Sequence, residues 1–96
     1  MDYYTFIKFT KRNFPPSDFT DSELAMWYAM NKNWNRAHHI AQSINNELGY
    51  WIHAYLHRTE GDHENANYWY LKANRLFSQG SLKDEAQEII HFITEL

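Results

Sequence analysis

The chain has 96 residues, 44% of them hydrophobic and 18% aromatic, which suits one folded domain and argues against a disordered chain. Its net charge is −3 and its 9 Lys and Arg residues are scattered, so a nucleic-acid-binding surface, which needs a basic stripe, is not predicted. The lack of cysteine excludes disulfides, thiolate metal sites and cysteine catalysis.

Residues 1–16 are predicted to form an N-terminal arm that ends at Pro15-Pro16, because proline lacks a backbone donor and restricts the residue before it. Asp2 can cap a short helix in this arm, whereas the alternation around Ile7 also allows an extended segment. We favour the helix, and the sequence leaves both forms open. The arm is rich in aromatic side chains, namely Tyr3, Tyr4, Phe6 and Phe9.

Residues 20–46 are predicted to form a first helical hairpin. Thr20 and Glu23 have the spacing of a capping box, so a helix is expected over about residues 21–32. Asn33 is the expected N-cap of a second helix over about residues 34–46, and Gly49 is expected to stop that helix. Apolar residues recur at helical spacing through both helices: Leu24, Ala25, Tyr28, Ala37, Ile40, Ala41 and Ile44.

Residues 50–78 are predicted to form a second hairpin. Its first helix, over about residues 50–60, lacks a polar face for two turns and should therefore be buried. Gly61-Asp62 supplies the turn and the next cap, and a helix over about residues 63–77 follows, with Leu76 among its inward residues.

Residues 81–96 are predicted to form a capping helix that begins at Ser81. Its apolar stripe is expected to comprise Leu82, Ala86, Ile89, Ile90 and Ile93, and its wet side Lys83, Asp84, Glu85 and Glu88. The sequence as a whole therefore predicts an all-α fold in a single helical-repeat domain over residues 1–96.

The segment 50–73 resembles a tetratricopeptide repeat. Small residues stand where two antiparallel helices would cross, and one ring lies beside them, as in that family. Segment 21–44 repeats the scheme earlier in the chain, with Ala37 in the place of Ala66, although Lys32-Asn33 replaces the Gly-Asp turn. The resemblance implies two tetratricopeptide-like hairpins. The residues that carry it in the second copy are Ala54, Gly61-Asp62, Ala66, Tyr70 and Ala73.

A narrower resemblance covers the string from His53 to Asp62, followed by Asn65-Ala66 and Tyr68-Trp69-Tyr70. This string is similar to a group of small uncharacterised bacterial proteins that carry the pattern H-A-x-x-H-R-x-E-G-D-x-x-N-A-x-Y-W. The resemblance implies a helical-repeat fold and no established activity.

Histidines provide the candidate polar site. His53 and His57 are four residues apart and so project from one side of a helix, which is also the spacing of two metal ligands. His38 on the preceding helix is a possible third ligand. We expect His53 and His57 to be buried and hydrogen-bonded, with no metal or cofactor, and a metal site built from the three histidines is the alternative. The candidate polar site comprises His38, His53, His57, Arg58, Glu60 and Asn65.

A concave groove is the second candidate site. Its aromatic, methionine and arginine side chains would suit an apolar peptide or helix, unless the N-terminal arm or a second copy of the chain fills it. The groove is expected to be lined by Met26, Met30, Trp51, Tyr55 and Arg58.

These features favour a small interaction module that binds protein, peptide or itself, with a homodimer expected from its many aromatic residues. The alternative function is a metal- or small-ligand-binding protein with a histidine site, of which a hydrolase would be one form. No phosphate loop, nucleophile elbow or carboxylate-pair motif occurs, so no catalytic residue is predicted. Neither a secretion signal nor an apolar run of ~18 residues is found, so we expect a cytoplasmic protein without a membrane partner.

Overall fold

The computed structural model describes all 96 residues as six α-helices and no strand, which confirms the all-α prediction. No helix is longer than 13 residues, and none has the length and apolar character needed to cross a membrane. The helices are α1 (Tyr3–Thr10), α2 (Asp21–Met30), α3 (Trp34–Ala41), α4 (Glu47–Thr59), α5 (His63–Lys72) and α6 (Leu82–Thr94).

Every helix begins at a short polar side chain that accepts a hydrogen bond from a backbone N–H of the first turn. Thr20 and Glu23 form the predicted capping box, and Asp2 caps α1, so the N-terminal arm contains a helix. The cap at Asn46 was not predicted, and α4 consequently starts at Glu47 rather than near residue 50. The six caps are Asp2, Thr20, Asn33, Asn46, Asp62 and Ser81.

Three helices end in a Schellman motif, in which a residue in the left-handed conformation lets two N–H groups reach back to the last turn. At the end of α4 this residue is Gly61, with φ of 81°. Lys32 ends α2 in the same way with φ of 61°, and Asn74 ends α5 with φ of 57°. Because Asn74 stops α5, the predicted helix to residue 77 is too long, and Leu76 is 92% exposed rather than inward.

Gly49 has a different role from the one predicted. The helix α3 ends at Ala41, and Gly49 lies in the first turn of α4. A Cβ atom at Gly49 would overlap the carbonyl oxygen of Ile44. Glycine is therefore required because the connection between α3 and α4 passes too close for any side chain.

The helices α2 and α3 form one hairpin, α4 and α5 form the second, and α6 packs against α1, α2 and α4. Four fully buried alanines lie in the hairpins at matching positions, where small side chains allow close helix packing. They are Ala25 and Ala37 in the first hairpin, and Ala54 and Ala66 in the second.

The predicted groove is not open. Met26, Trp51 and Tyr55 are buried in the core, and Met30 and Arg58 are partly buried. The reason is that α6 inserts its apolar stripe against α2 and α4, and α1 packs beside it. The surface that we expected to receive a peptide is therefore covered by the chain's own helices.

Candidate functional site: a three-histidine cluster

Three histidines from two helices form a compact cluster. His53 and His57 lie one turn apart on α4, and His38 reaches them from α3. One ring nitrogen from each of the three histidines lies within 4.8 Å of the other two. The Nε2 atoms of His38 and His53 are 2.9 Å apart, and the rings of His53 and His57 are stacked with centroids 4.8 Å apart.

Two tryptophans form the walls of this cluster. Trp69 stacks on His53 with ring centroids 3.9 Å apart, and Trp34 stacks on His38 at 4.6 Å. Trp34 is itself held in place because its Nε1–H donates to the carbonyl oxygen of Leu56 at 2.7 Å. The imidazoles therefore lie in a rigid aromatic environment.

The prediction that His53 and His57 are buried and hydrogen-bonded is confirmed, since they are 4% and 6% exposed. Nδ1 of His57 lies 2.7 Å from Oε1 of Glu60, and Nε2 of His53 shares a hydrogen bond with His38. Nδ1 of His53, however, is buried without a hydrogen-bonding partner. Burying a polar atom without a partner costs about 1–3 kcal/mol.

Burial keeps two of the three histidines uncharged. It lowers the pKa of His53 to about 3, and the neighbouring His38 and His57 add to this effect. Burial also lowers the pKa of His38 below its ordinary value, again with a contribution from His57. Both rings are therefore neutral at pH 7, and each keeps one nitrogen with a lone pair.

The predicted polar site is divided by the structure, because two of its residues lie away from the histidines. Glu60 joins the cluster through His57, and Asp62 lies near both of them. Asn65 instead belongs to the first turn of α5, where its backbone N–H donates to the Asp62 cap, and its side chain is exposed. Arg58 turns towards α6 and donates to Glu85 at 2.8 Å and to the carbonyl oxygen of Gly80.

Glu85 lies in the core, contrary to the prediction from the sequence. We expected it on the wet side of α6, but it is only 2% exposed. Its carboxylate accepts from Arg58, from Trp51 Nε1 at 3.1 Å and from the Tyr70 hydroxyl at 2.7 Å. Its position one helical turn before the buried Ile89 was a signal of burial, which the acidic run around it concealed.

The contacts of Glu85 are complete, in contrast to those of the histidine cluster. Burial raises the pKa of the Tyr70 hydroxyl well above its ordinary value, and the hydrogen bond to Glu85 raises it further, so the phenol remains a donor. A buried carboxylate with one cation and two neutral donors forms a polar anchor that fixes α6 to α4 and α5. Of the two buried polar clusters, only the histidines retain an unused nitrogen.

The resemblances noted in the sequence, to tetratricopeptide repeats and to a group of small bacterial proteins, remain expectations. Comparison of the chain with models of protein families, with characterised proteins and with solved structures finds no match.

Proposed function

We propose that the protein binds a divalent transition-metal ion through His38, His53 and His57. The observation that carries the proposal is the convergence of three ring nitrogens within 4.8 Å of one another. Imidazole nitrogen is a good ligand for Zn²⁺, Cu²⁺ and Ni²⁺, whereas Mg²⁺ and Ca²⁺ prefer oxygen. The three imidazoles therefore favour Zn²⁺, Cu²⁺ or Ni²⁺ over Mg²⁺ and Ca²⁺.

The spacing of the rings supports this proposal. A tetrahedral metal with bonds of about 2.0–2.1 Å to nitrogen separates its ligand atoms by about 3.4 Å. The Nε2 atoms of His38 and His53 are already 2.9 Å apart, so a small movement of the side chains would accommodate the ion. Three protein ligands leave a fourth position for water or a small ligand, which is the position that a hydrolase would use.

A comparison within the chain also supports it. When the two hairpins are aligned on Ala37 and Ala66, Leu24 matches His53 and Tyr28 matches His57. The same kind of hairpin is thus built with an apolar and an aromatic side chain at these two positions. Packing alone therefore does not require imidazoles at these two positions, whereas binding of a metal ion would explain them.

The experiment measures metal binding by tag-free protein, using calorimetry with Zn²⁺ and tryptophan fluorescence with Cu²⁺. We expect one ion per chain and quenching of Trp34 and Trp69, because both indoles stack on proposed ligands. The double variant His53→Leu/His57→Tyr copies the first hairpin, and its affinity should fall by at least about 100-fold, since two of three ligands are lost.

The control is His39→Ala, which removes an exposed histidine next to His38 and should leave the affinity unchanged. Wild-type protein that binds no stoichiometric ion at micromolar concentration would overturn the proposal. Equal affinity in the double variant would overturn it as well, because binding would then reside on surface side chains.

We also propose self-association, as a second function carried by a separate observation. Several large apolar side chains remain strongly exposed on the outer surface, and a second copy of the chain could cover them. A dimeric mass in light scattering would support this proposal, and Leu76→Ser should weaken the dimer. A monomeric mass at high micromolar concentration would overturn it. The exposed side chains are Tyr4, Phe14, Leu71 and Leu76.

A further inference from the structure

We infer that Glu60 is the positioning residue of the metal site, because it fixes the ring of His57 so that Nε2 carries the lone pair. This inference rests on the proposed function. Oε1 of Glu60 lies 2.7 Å from Nδ1 of His57, within hydrogen-bonding distance. An ionised carboxylate can only accept, so in the neutral imidazole Nδ1 carries the proton and Nε2 keeps the lone pair.

The backbone holds Glu60 in position. It is the C-cap of α4 and directly precedes Gly61, whose left-handed conformation turns the chain. The backbone N–H of Asp62 then donates to the carbonyl oxygen of His57 at 3.0 Å. The backbone N–H of Gly61 donates to the carbonyl oxygen of Arg58 at 3.1 Å. This Schellman motif ties the turn to His57 itself, so the backbone of Glu60 is held close to the imidazole that its carboxylate contacts.

The carboxylate contributes charge as well as direction. The three imidazoles are neutral ligands, and a bound divalent ion would bring two positive charges to a mostly buried place. Hydrogen bonding to a carboxylate makes the opposite nitrogen of an imidazole more basic and therefore a better ligand. The side chain of Glu60 is 40% exposed, so it joins the buried ring to the protein surface.

The first hairpin lacks both members of this pair. In the alignment of the two hairpins, Tyr28 matches His57 and Asn31 matches Glu60. The side chain of Asn31 turns away from that position and donates to the carbonyl oxygen of Trp27 at 2.9 Å. Imidazole and carboxylate thus occur together in one hairpin and are absent together from the other, as expected if they act as a unit.

The test uses the full-length protein and its Glu60→Ala and Glu60→Gln variants, with two readouts. Imidazole ¹⁵N NMR of the metal-free protein reports the tautomer of His57, which should be protonated at Nδ1 in the wild type and mixed in Glu60→Ala. Calorimetry with Zn²⁺ should give an affinity about 10- to 100-fold weaker for Glu60→Ala, a loss typical of such a partner. Glu60→Gln keeps a hydrogen-bond acceptor without the charge. Its affinity for Zn²⁺ should therefore lie between those of the wild type and Glu60→Ala.

Glu64→Ala is the matched control, because it removes an exposed carboxylate from the first turn of α5 without a hydrogen bond to any histidine. Its affinity for Zn²⁺ should equal that of the wild type. An Nε2-protonated His57 in the wild type would overturn the inference, and so would wild-type affinity in Glu60→Ala. Failure of the wild type itself to bind Zn²⁺ would instead overturn the proposed function, and the metal-positioning role with it.

Discussion

The two hairpins have the same backbone plan but different polar contents. In each, an N-capped second helix follows a Schellman motif, at Lys32-Asn33 in the first hairpin and at Gly61-Asp62 in the second. The buried alanines at the helix crossings also correspond, at one constant offset along the sequence. The features that define the hairpin are therefore short side chains, caps and turns, and they are present twice.

The buried polar residues, in contrast, do not recur in the first hairpin, since His53 and His57 lie in the second and Glu85 lies in α6. At the matching positions the first hairpin has hydrocarbon or aromatic side chains, and the polar side chain that it contributes to the histidine cluster is His38, at a different position. The backbone plan of the hairpin therefore does not require polar side chains at these positions. The matching pairs are Leu24 and His53, Tyr28 and His57, Ala29 and Arg58, and Ala41 and Tyr70.

The largest loss of stability is expected at the ion pair that joins the second hairpin to α6. Arg58→Ala introduces the residue of the first hairpin, Ala29, and leaves the carboxylate of Glu85 buried without its cation. Removal of one partner of a buried ion pair destabilises by about 3–5 kcal/mol, which urea denaturation would measure. Adding Glu85→Gln should restore part of the loss because the amide is neutral. An unchanged midpoint in the single variant would mean that the ion pair contributes little to docking.

A smaller effect is expected at alkaline pH. The pKa of Tyr70 is raised in the folded protein, first by burial and then by Glu85, so folding favours the protonated phenol. Its contribution is fully present below the ordinary tyrosine pKa of about 10 and is lost as the pH rises above that value. Denaturation between pH 8 and 11 should show this decline.

The variant Tyr70→Phe distinguishes the contribution of Tyr70 to the alkaline loss of stability from that of the other tyrosines. It should cost about 1–3 kcal/mol at pH 8, because Glu85 loses a donor, but it should weaken the alkaline decline. Some decline should persist, since burial raises the pKa of Tyr55 to about 12. If the wild type and Tyr70→Phe lose stability in parallel above pH 10, Tyr70 is not the source.

The smallest effect is expected at the turns. Lys32 adopts the left-handed conformation that Gly61 adopts in the other hairpin, and this conformation costs a residue with a side chain about 1 kcal/mol. Lys32→Gly should therefore raise the free energy of unfolding by up to about 1 kcal/mol. The reverse change, Gly61→Ala, should lower it, because no atom lies within 4 Å of the added Cβ and only the backbone is strained. Opposite signs in the two variants would show that the two turns share one backbone conformation and differ in how well their residue adopts it, and equal signs would contradict this.

Most local features were predictable from the sequence, although the cap at Asn46 was missed, and contacts between distant residues were not. The caps at Thr20, Asn33 and Asp62 depend on neighbouring residues, so their types and spacing sufficed to predict three helix starts. The role of Gly49 depends on the carbonyl group of Ile44, and this contact could not be foreseen before the path between α3 and α4 was known.

In the candidate site too, the features that depend on neighbouring residues were predictable, and those that depend on how helices pack were not. The spacing of His53 and His57 predicted a shared face of α4, and the apolar helix around them predicted their burial. The contribution of His38 depended on how α3 rotates against α4, which its own sequence does not specify. Whether the groove is open or filled by the chain itself, and whether Glu85 is buried, depended on which helices meet, so the sequence left the first question undecided and placed Glu85 wrongly on the wet side of α6.

The contact between α1 and α6 has a consequence for the order of folding. The ring of Tyr3 stacks on that of His91 with centroids 4.3 Å apart, although almost the whole chain separates them. Each hairpin joins neighbouring segments and can form early, whereas this contact must close a long loop. During synthesis α1 leaves the ribosome before the other five helices, and α6 emerges after them. The contact between α1 and α6 is therefore among the last to form.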